Sequence, residues 1–241
     1  MNKNFSYVDH TVIAFLHRVQ RLFEEGIAFA LFTLLEPQQR SWSVIAQKIW
    51  PLLTPNISEL RCCKRVYLHQ LRRLVSPTVL CDCTKLRSIF GYNDLLPESP
   101  ADDSDGASDG QALSKWLHTP REDGRQKMLC FRCRWDNRNA CRLFSMVDQL
   151  MKTFLNASAS VKYVIRLEWV HIFVAPFDLE NERTRERLAL RCKGKELLMK
   201  RGPIVGEVNE WTEWEREAVE WDWLRLNKNM VKITITDSSI G

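Results

Sequence analysis

The residues with the greatest chemical potential are the eight cysteines, and their spacing decides what they can do. They stand as Cys62-Cys63, Cys81-x-Cys83 and Cys130-x-x-Cys133, with Cys141 and Cys192 isolated. A thiolate zinc site needs two properly spaced knuckles, and only Cys130 and Cys133 have that spacing. Their surroundings read as a strand, where residues three apart point to opposite faces and cannot share an ion without a turn. No signal-peptide pattern is present, so the thiols are expected to be free and buried in a reducing compartment. His10, His17, His69, His118 and His171 never pair at ligand spacing, and no serine or cysteine sits in a nucleophile-elbow context. The expectation is a chain with no cofactor, no metal and no catalysis of its own.

Three further clusters carry charge or aromatic surface. Asp102, Asp103, Asp105 and Gly106 suggest a calcium loop, but aligning Gly106 with the invariant glycine puts Ala101 and Ala112 at the first and last ligands. The segment from Glu98 to Asp109 reads instead as an acidic, mobile surface loop, with Ser104 and Ser108 as phosphorylation candidates. Arg121, Arg125, Lys127, Arg132, Arg134, Arg138 and Arg142 form the densest basic run, with Phe131 and Trp135 interleaved. That pattern motivates an alternative reading as a nucleic-acid-binding module, diluted by Glu122, Asp123 and Asp136. Of nine tryptophans, four lie between Trp211 and Trp223. Trp211, Trp214 and Trp221 share a helical stripe and are assigned to core, which leaves Trp223 as the exposed candidate.

The elements that must position these groups repeat. Val12, Phe15, Leu16, Val19, Leu22 and Phe23 follow helical spacing behind an Asp9 cap, Gly26 closes the helix, and Ile27 to Leu35 is an unbroken apolar run of strand length. The same helix-then-strand order recurs with Ser41 capping a helix to Trp50 before a strand at Asn56 to Cys62. It recurs again with Val66 to Leu74 before Leu86 to Phe90, and with a helix capped by Asp109 and stopped by Pro120 before Lys127 to Cys133. A last helix carrying Leu143, Phe144, Val147, Leu150, Met151 and Phe154 on one face precedes a strand at Val161 to Trp169. Strand starts at Ile27, Ile57, Leu86, Lys127 and Val161 are offset by 30, 29, 41 and 34 residues, roughly one supersecondary unit each. The expected fold is α/β: repeating helix-strand units in a curved, mostly parallel, leucine-rich-repeat-like sheet, with a doubly wound sheet as its competitor. Residues 1–169 would form the repeat region. Residues 170–241 would close it as an antiparallel cap packed into one continuous domain, with hairpin strands at Ile172 to Val174, Phe177 to Leu179, Arg187 to Arg191 and Leu197 to Lys200, a Trp-bearing helix, and a last strand at Val231 to Ile235.

Charge and hydropathy bound the partners. At 241 residues and 45% apolar the chain can bury a substantial core, and 35 Lys plus Arg against 30 Asp plus Glu gives only +5. That balance fits a partner of mixed charge better than nucleic acid. No apolar run reaches the ~18 residues that span a bilayer, so a cytoplasmic or nuclear protein without membrane contact is expected.

A set of idiosyncratic words spans nearly the whole chain. They are Trp50-Pro51-Leu52, Ser76-Pro77-Thr78-Val79-Leu80, Leu86-Arg87-Ser88-Ile89, Pro100-Ala101-Asp102-Asp103, Gly110-Gln111-Ala112-Leu113 and Lys115-Trp116-Leu117-His118-Thr119-Pro120-Arg121-Glu122-Asp123-Gly124. Toward the C-terminus come Pro176-Phe177, Glu186-Arg187-Leu188, Trp214-Glu215-Arg216-Glu217-Ala218 and Glu220-Trp221-Asp222-Trp223. In these words the chain resembles nematode F-box-domain-containing proteins in their region downstream of the F-box. The resemblance implies a substrate-recognition module of a Skp–cullin–F-box ubiquitin ligase, holding an unidentified target protein. An F-box is a helical segment of some 40 to 50 residues, and helix Val12 to Phe23 leaves no room for one, so contact with a Skp adaptor and cullin is expected only through a missing or separate F-box. The residues expected to meet the target are Arg121, Arg125, Trp135 and Trp223.

Overall fold

The computed structural model describes residues 2–5, 10–19, 26–33, 39–62, 65–92, 94–133, 137–168, 170, 174–204, 212–214, 216–218 and 229–235. Its strands are β1 (Asn2–Phe5), β2 (Ile27–Thr33), β3 (Ile57–Cys62), β4 (Ser88–Tyr92), β5 (Lys127–Arg132), β6 (Tyr163–Glu168), β7 (Phe177–Asn181), β8 (Glu186–Lys193), β9 (Glu196–Pro203) and β10 (Met230–Ile235). Its helices are α1 (His10–Val19), α2 (Gln39–Val44), α3 (Trp50–Leu53), α4 (Arg65–Leu74), α5 (Asp109–His118) and α6 (Asn137–Leu155). A π-helical turn (Ile45–Ile49) joins α2 to α3, and a 3₁₀ turn (Thr54–Asn56) leads into β3. The architecture is mixed α/β, with parallel strands joined by helices as the repeating pattern expects. The chain forms two compact units, Met1–Phe90 with Leu224–Gly241, and Gly91–Trp223. This differs from the expected division at residue 169/170.

In the first unit the strand order is β1-β10-β2-β3-β4, with every neighbouring pair parallel. The connections β1 to β2, β2 to β3 and β3 to β4 all advance in the same direction, so right-handed crossovers place their helices on one face. Side chains follow suit. Phe29, Leu31, Leu60, Ile89, Val231 and Ile233 share the helix-facing side by register, and the Phe29 ring meets Trp50 of α3 edge-on at 5.6 Å. The opposite side carries Ala28, Ala30, Glu59, Arg61, Ser88 and Met230. Gly26, at the entry to β2, has a φ of +101°, and a Cβ there would stand 2.7 Å from the Ser58 hydroxyl of β3; the stretch over which it was expected to close the first helix lies outside the described residues.

The last strand corrects an expectation. Residues 230–235 do form a strand, yet β10 lies between β1 and β2 and caps nothing at the end of the repeat. Its Val231 and Ile233 match the apolar pairing surface of Phe29 and Leu31, a non-local fit that alternation alone cannot specify. β1 was not anticipated, because four residues with one aromatic carry no periodic signal.

In the second unit the order is β5-β6-β9-β8-β7, parallel between β5 and β6 and antiparallel thereafter. The expected hairpins at 177–200 are therefore present, extended to β7, β8 and β9; of the Ile172 to Val174 expectation, only Val174 lies within the described residues. Buried Trp214 and Ala218 pack on Met128 and Val164, as the Trp stripe requires, while Trp211 and Trp221 lie outside the described residues.

Candidate functional site

Helix α5 and the turn behind it are secured at both ends. Ser108 is the N-cap: its hydroxyl accepts from Gln111 N at 3.1 Å while Gln111 Oε1 accepts from Ser108 N at 2.9 Å. This capping box displaces the expected Asp109 cap by one residue, and Asp109 is instead buried in the first turn. At the other end the Lys127 ammonium donates to the carbonyls of Trp116 and Thr119 and sits over the Trp116 ring, placing a cation where the helix carries partial negative charge. Pro120 stops the helix, Arg121 clamps Asp123 through Nε at 2.8 Å and Nη2 at 2.6 Å, and Gly124 takes the left-handed φ of +67° that reverses the chain into β5. The Arg121 guanidinium holds the Asp123 carboxyl down at about 2.

The helix ends on His118, which faces a row of side chains fixed by strand register. Lys127, Tyr163, Arg201 and Leu188 are successive neighbours across β5, β6, β9 and β8. Tyr163 is fully buried, and its ring meets the His118 imidazole edge-on at 5.8 Å. Arg201 is 1% exposed, with its guanidinium over Phe154 and paired to Glu186 at 2.6 Å, itself fully buried. Glu186 also accepts from Ser160 Oγ and Val161 N, each at 2.8 Å, so the carboxylate of this buried pair is held by hydrogen bonds on both oxygens.

His118 Nδ1 lies 2.8 Å from Ser114 O, a carbonyl that can only accept, so Nδ1 carries the proton and Nε2 presents a lone pair. Burial, with Arg201 and Lys127 near, pushes the imidazole down to about 4, so it is neutral at physiological pH. His118 Nε2 and the Tyr163 hydroxyl are both buried without a hydrogen-bond partner. Burial pushes the Tyr163 phenol up to about 12. His118 and Arg201 line a cleft of about 500 Å³ whose rim includes Lys152, Asn156 and Ser158. None of these polar groups stood out in the sequence, although Glu186 and Arg201 are charges at inward positions of strands.

The residues expected to bind a target fall into two classes. Arg121 is committed to Asp123, its side chain 11% exposed, and structures the turn; Arg125 is exposed, with its amide on Asp123 Oδ1 at 3.1 Å. Trp135 and Trp223 lie outside the described residues. The acidic segment is pinned: Glu98 N donates to Gly110 O at 3.0 Å, Asp102 N to Gln111 O at 3.2 Å, and Ser108 Oγ to Glu98 at 2.5 Å. The basic run is largely engaged within the chain. Lys127 is buried, Arg132 faces Glu168 at 3.4 Å, and Arg142 faces Glu98 at 3.5 Å. Phe144, expected inside, is 48% exposed on α6, where Leu143 takes the inward position.

Three of the thiols are held in their protonated form by burial. Burial pushes Cys83 up to about 12 and Cys133 to about 11, and Cys130 is raised further. Among the described residues there is no group of three or more His, Cys, Asp or Glu able to hold a metal ion, and no helix is long and apolar enough to cross a membrane. Compared with protein-family models, curated proteins and solved structures, the chain matches none of them.

Proposed function

We propose that this chain is a protein-recognition module with no chemistry of its own, resembling the target-binding region of an F-box protein. The observation that supports it is the turn at the end of α5. The capping box, the Lys127 ammonium, the Arg121–Asp123 clamp and Gly124 together hold a short exposed segment in one conformation, with Arg125 projecting from it. A preorganised exposed turn lowers the entropy cost of association, which a partner surface exploits. Proximity to a catalytic group is not needed for that, and the buried thiols and neutral imidazole are poorly suited to supply one.

On this reading the first unit's one-directional strand order and single-sided helices reflect a leucine-rich-repeat-like ancestry, with β10 as an inserted strand. The module would recruit a target protein in the cytoplasm or nucleus, reaching a Skp adaptor and cullin through an F-box on another segment or chain. Affinity purification of the tagged chain with mass spectrometry tests the reading. Recovery of a reproducible partner lost in Arg125→Glu and Trp135→Ala, with adaptor and cullin co-purifying, is the expected result. Partner capture unchanged by Arg125→Glu, Trp135→Ala and Trp223→Ala would overturn the assignment of this surface, and capture of no protein at all would overturn the reading itself.

A further inference from the structure

Helix α4, in the first unit, packs one face inward and leaves the other to solvent. Tyr67, Leu68 and Leu71 are buried, with the Tyr67 ring 5.9 Å from that of Trp42. Two rows at i, i+4 spacing lie side by side on the outer face: Arg65, His69 and Arg73, and beside them Val66, Gln70 and Leu74. Arg65 and Gln70 are half-buried and the other four are exposed. Val66, Leu74 and the adjoining Val75 are three of the five large apolar side chains exposed among the described residues. The backbone beneath them is fixed, since Val75 N donates to Leu71 O at 2.9 Å and Arg72 Nε to Pro77 O at 3.1 Å. Charge here has one sign: from residue 60 to residue 81 the sequence carries Arg61, Lys64, Arg65, Arg72 and Arg73 and no Asp or Glu. The carboxylates that bound this stretch are engaged, Glu59 with Arg61 and Asp82 with the Thr78 hydroxyl. Cations in a last turn complement the helix dipole, which accounts for Arg72 and Arg73 but not for the exposed Val66 and Leu74.

We propose that this face of α4 docks an acidic amphipathic helix of a partner protein. Apolar side chains of the incoming helix seat in the groove between the two rows, as the ridge of one helix packs into the groove of another. Val66 and Leu74, about 12 Å apart along the axis at the helical rise, close that apolar seam at its two ends. Carboxylates beside the seam meet Arg73 and Arg65, and α4 carries no acidic side chain to compete for them. Charge complementarity then sets the sign and register of the partner, and the apolar seam sets how long it stays. Nucleic acid fits less well, because Tyr67 is buried and cannot stack on a base, and exposed Val66 and Leu74 gain nothing from a phosphate backbone. A membrane surface fits less well too, because the main apolar stripe of α4 faces the core and its outer face carries no Trp or Phe. This inference rests on the protein-recognition reading for the source of its ligand, while the charge and apolar pattern stands on α4 alone.

The test titrates the intact chain into fluorescein-labelled peptides of about 16 residues, long enough to form a helix, and follows fluorescence anisotropy. The first peptide carries Glu together with a stripe of Leu on an Ala background, the second has Lys in place of every Glu, and the third has Ser in place of every Leu. Saturable binding of the first peptide is expected, weakening as salt is raised, with roughly tenfold weaker binding of the other two. Arg73→Glu and Leu74→Ser, both at exposed positions, should each weaken the acidic peptide by roughly tenfold. No saturable binding of the acidic peptide, equal affinity for the acidic and basic peptides, or an affinity unmoved by Arg73→Glu and Leu74→Ser would overturn the proposal. Tighter binding to a single-stranded RNA oligonucleotide or to phosphatidylserine vesicles than to the acidic peptide would overturn it as well. If the acidic peptide binds as expected but no protein is ever captured, the recognition reading fails alone; if a partner is captured equally by wild type, Arg73→Glu and Leu74→Ser, this inference fails alone.

Discussion

His118 shows how one buried side chain sets a pH dependence. Burial, with Arg201 and Lys127 as the facing cations, lowers its pKa from 6.5 to about 4, so the unfolded chain binds a proton more readily than the folded one. Its contribution is fully present above the unfolded value and is lost as pH falls from there through the folded value, a penalty on the order of 3 kcal/mol. Urea denaturation at about pH 7 and about pH 4.5 should therefore cost the wild type roughly 2 kcal/mol more than it costs His118→Phe. Equal losses would mean that the imidazole is not buried neutral. The thiols make a second prediction at this scale. Cys141 and Cys192 are exposed, whereas Cys83 and Cys130 are buried with raised pKa, and thiolate is the reactive form. A maleimide pulse read by peptide mass spectrometry should mark Cys141 and Cys192 well before Cys83 and Cys130, and comparable rates would contradict the burial.

Helix α5 carries its instructions locally, and for that reason much of it was legible. Helical spacing, Pro120 as a stop and the apolar run from Lys127 are short-range signals, and the same signals located β2, β3, β6 and the β7–β9 hairpins within a few residues. Where Ser108 and Asp109 compete as caps, the choice rests on Gln111, three residues after Ser108, whose side chain completes the box. Ser108→Ala should cost about 1 kcal/mol in chemical denaturation. Gly110 gives a sharper test, because glycine to alanine inside a helix ordinarily stabilises by up to about 1 kcal/mol. Here a Cβ would meet Glu98 Cδ at 2.5 Å and the Leu96 carbonyl at 2.7 Å, so the backbone of the acidic segment must move. Gly110→Ala is expected to destabilise, with the change read as a lower urea midpoint at unchanged slope; stabilisation would show that the 96–98 segment does not press on the helix. The convergence of His118, Tyr163 and Arg201 was not legible, because it depends on β6–β9 register and on the packing of α5, neither of which leaves a local pattern.

At the scale of the whole molecule, the placement of β10 ties the two ends of the sequence into one unit. β10 pairs Met230 with Ala28 and Asn2, and continues in register along β2 to Ile235 opposite Thr33. β1 has β10 as its neighbour in the strand order, and β2 lies between β10 and β3. A chain ending at residue 223 would leave β1 without a ladder and open one side of β2, exposing the apolar surface of Phe29 and Leu31 that Val231 and Ile233 cover by register. An unpaired buried strand edge is costly because its amides and carbonyls lose their partners, so the loss should not be confined to the deleted residues. Hydrogen exchange on the truncated chain is expected to show β2 amides from Ala28 to Leu31 losing protection along with those of β1. A synthetic peptide covering residues 224–241, added in trans, should restore protection in a concentration-dependent way, as a strand that fills an existing slot does. If β2 keeps its full protection after truncation, β10 is an accessory edge strand and the first unit is complete without it.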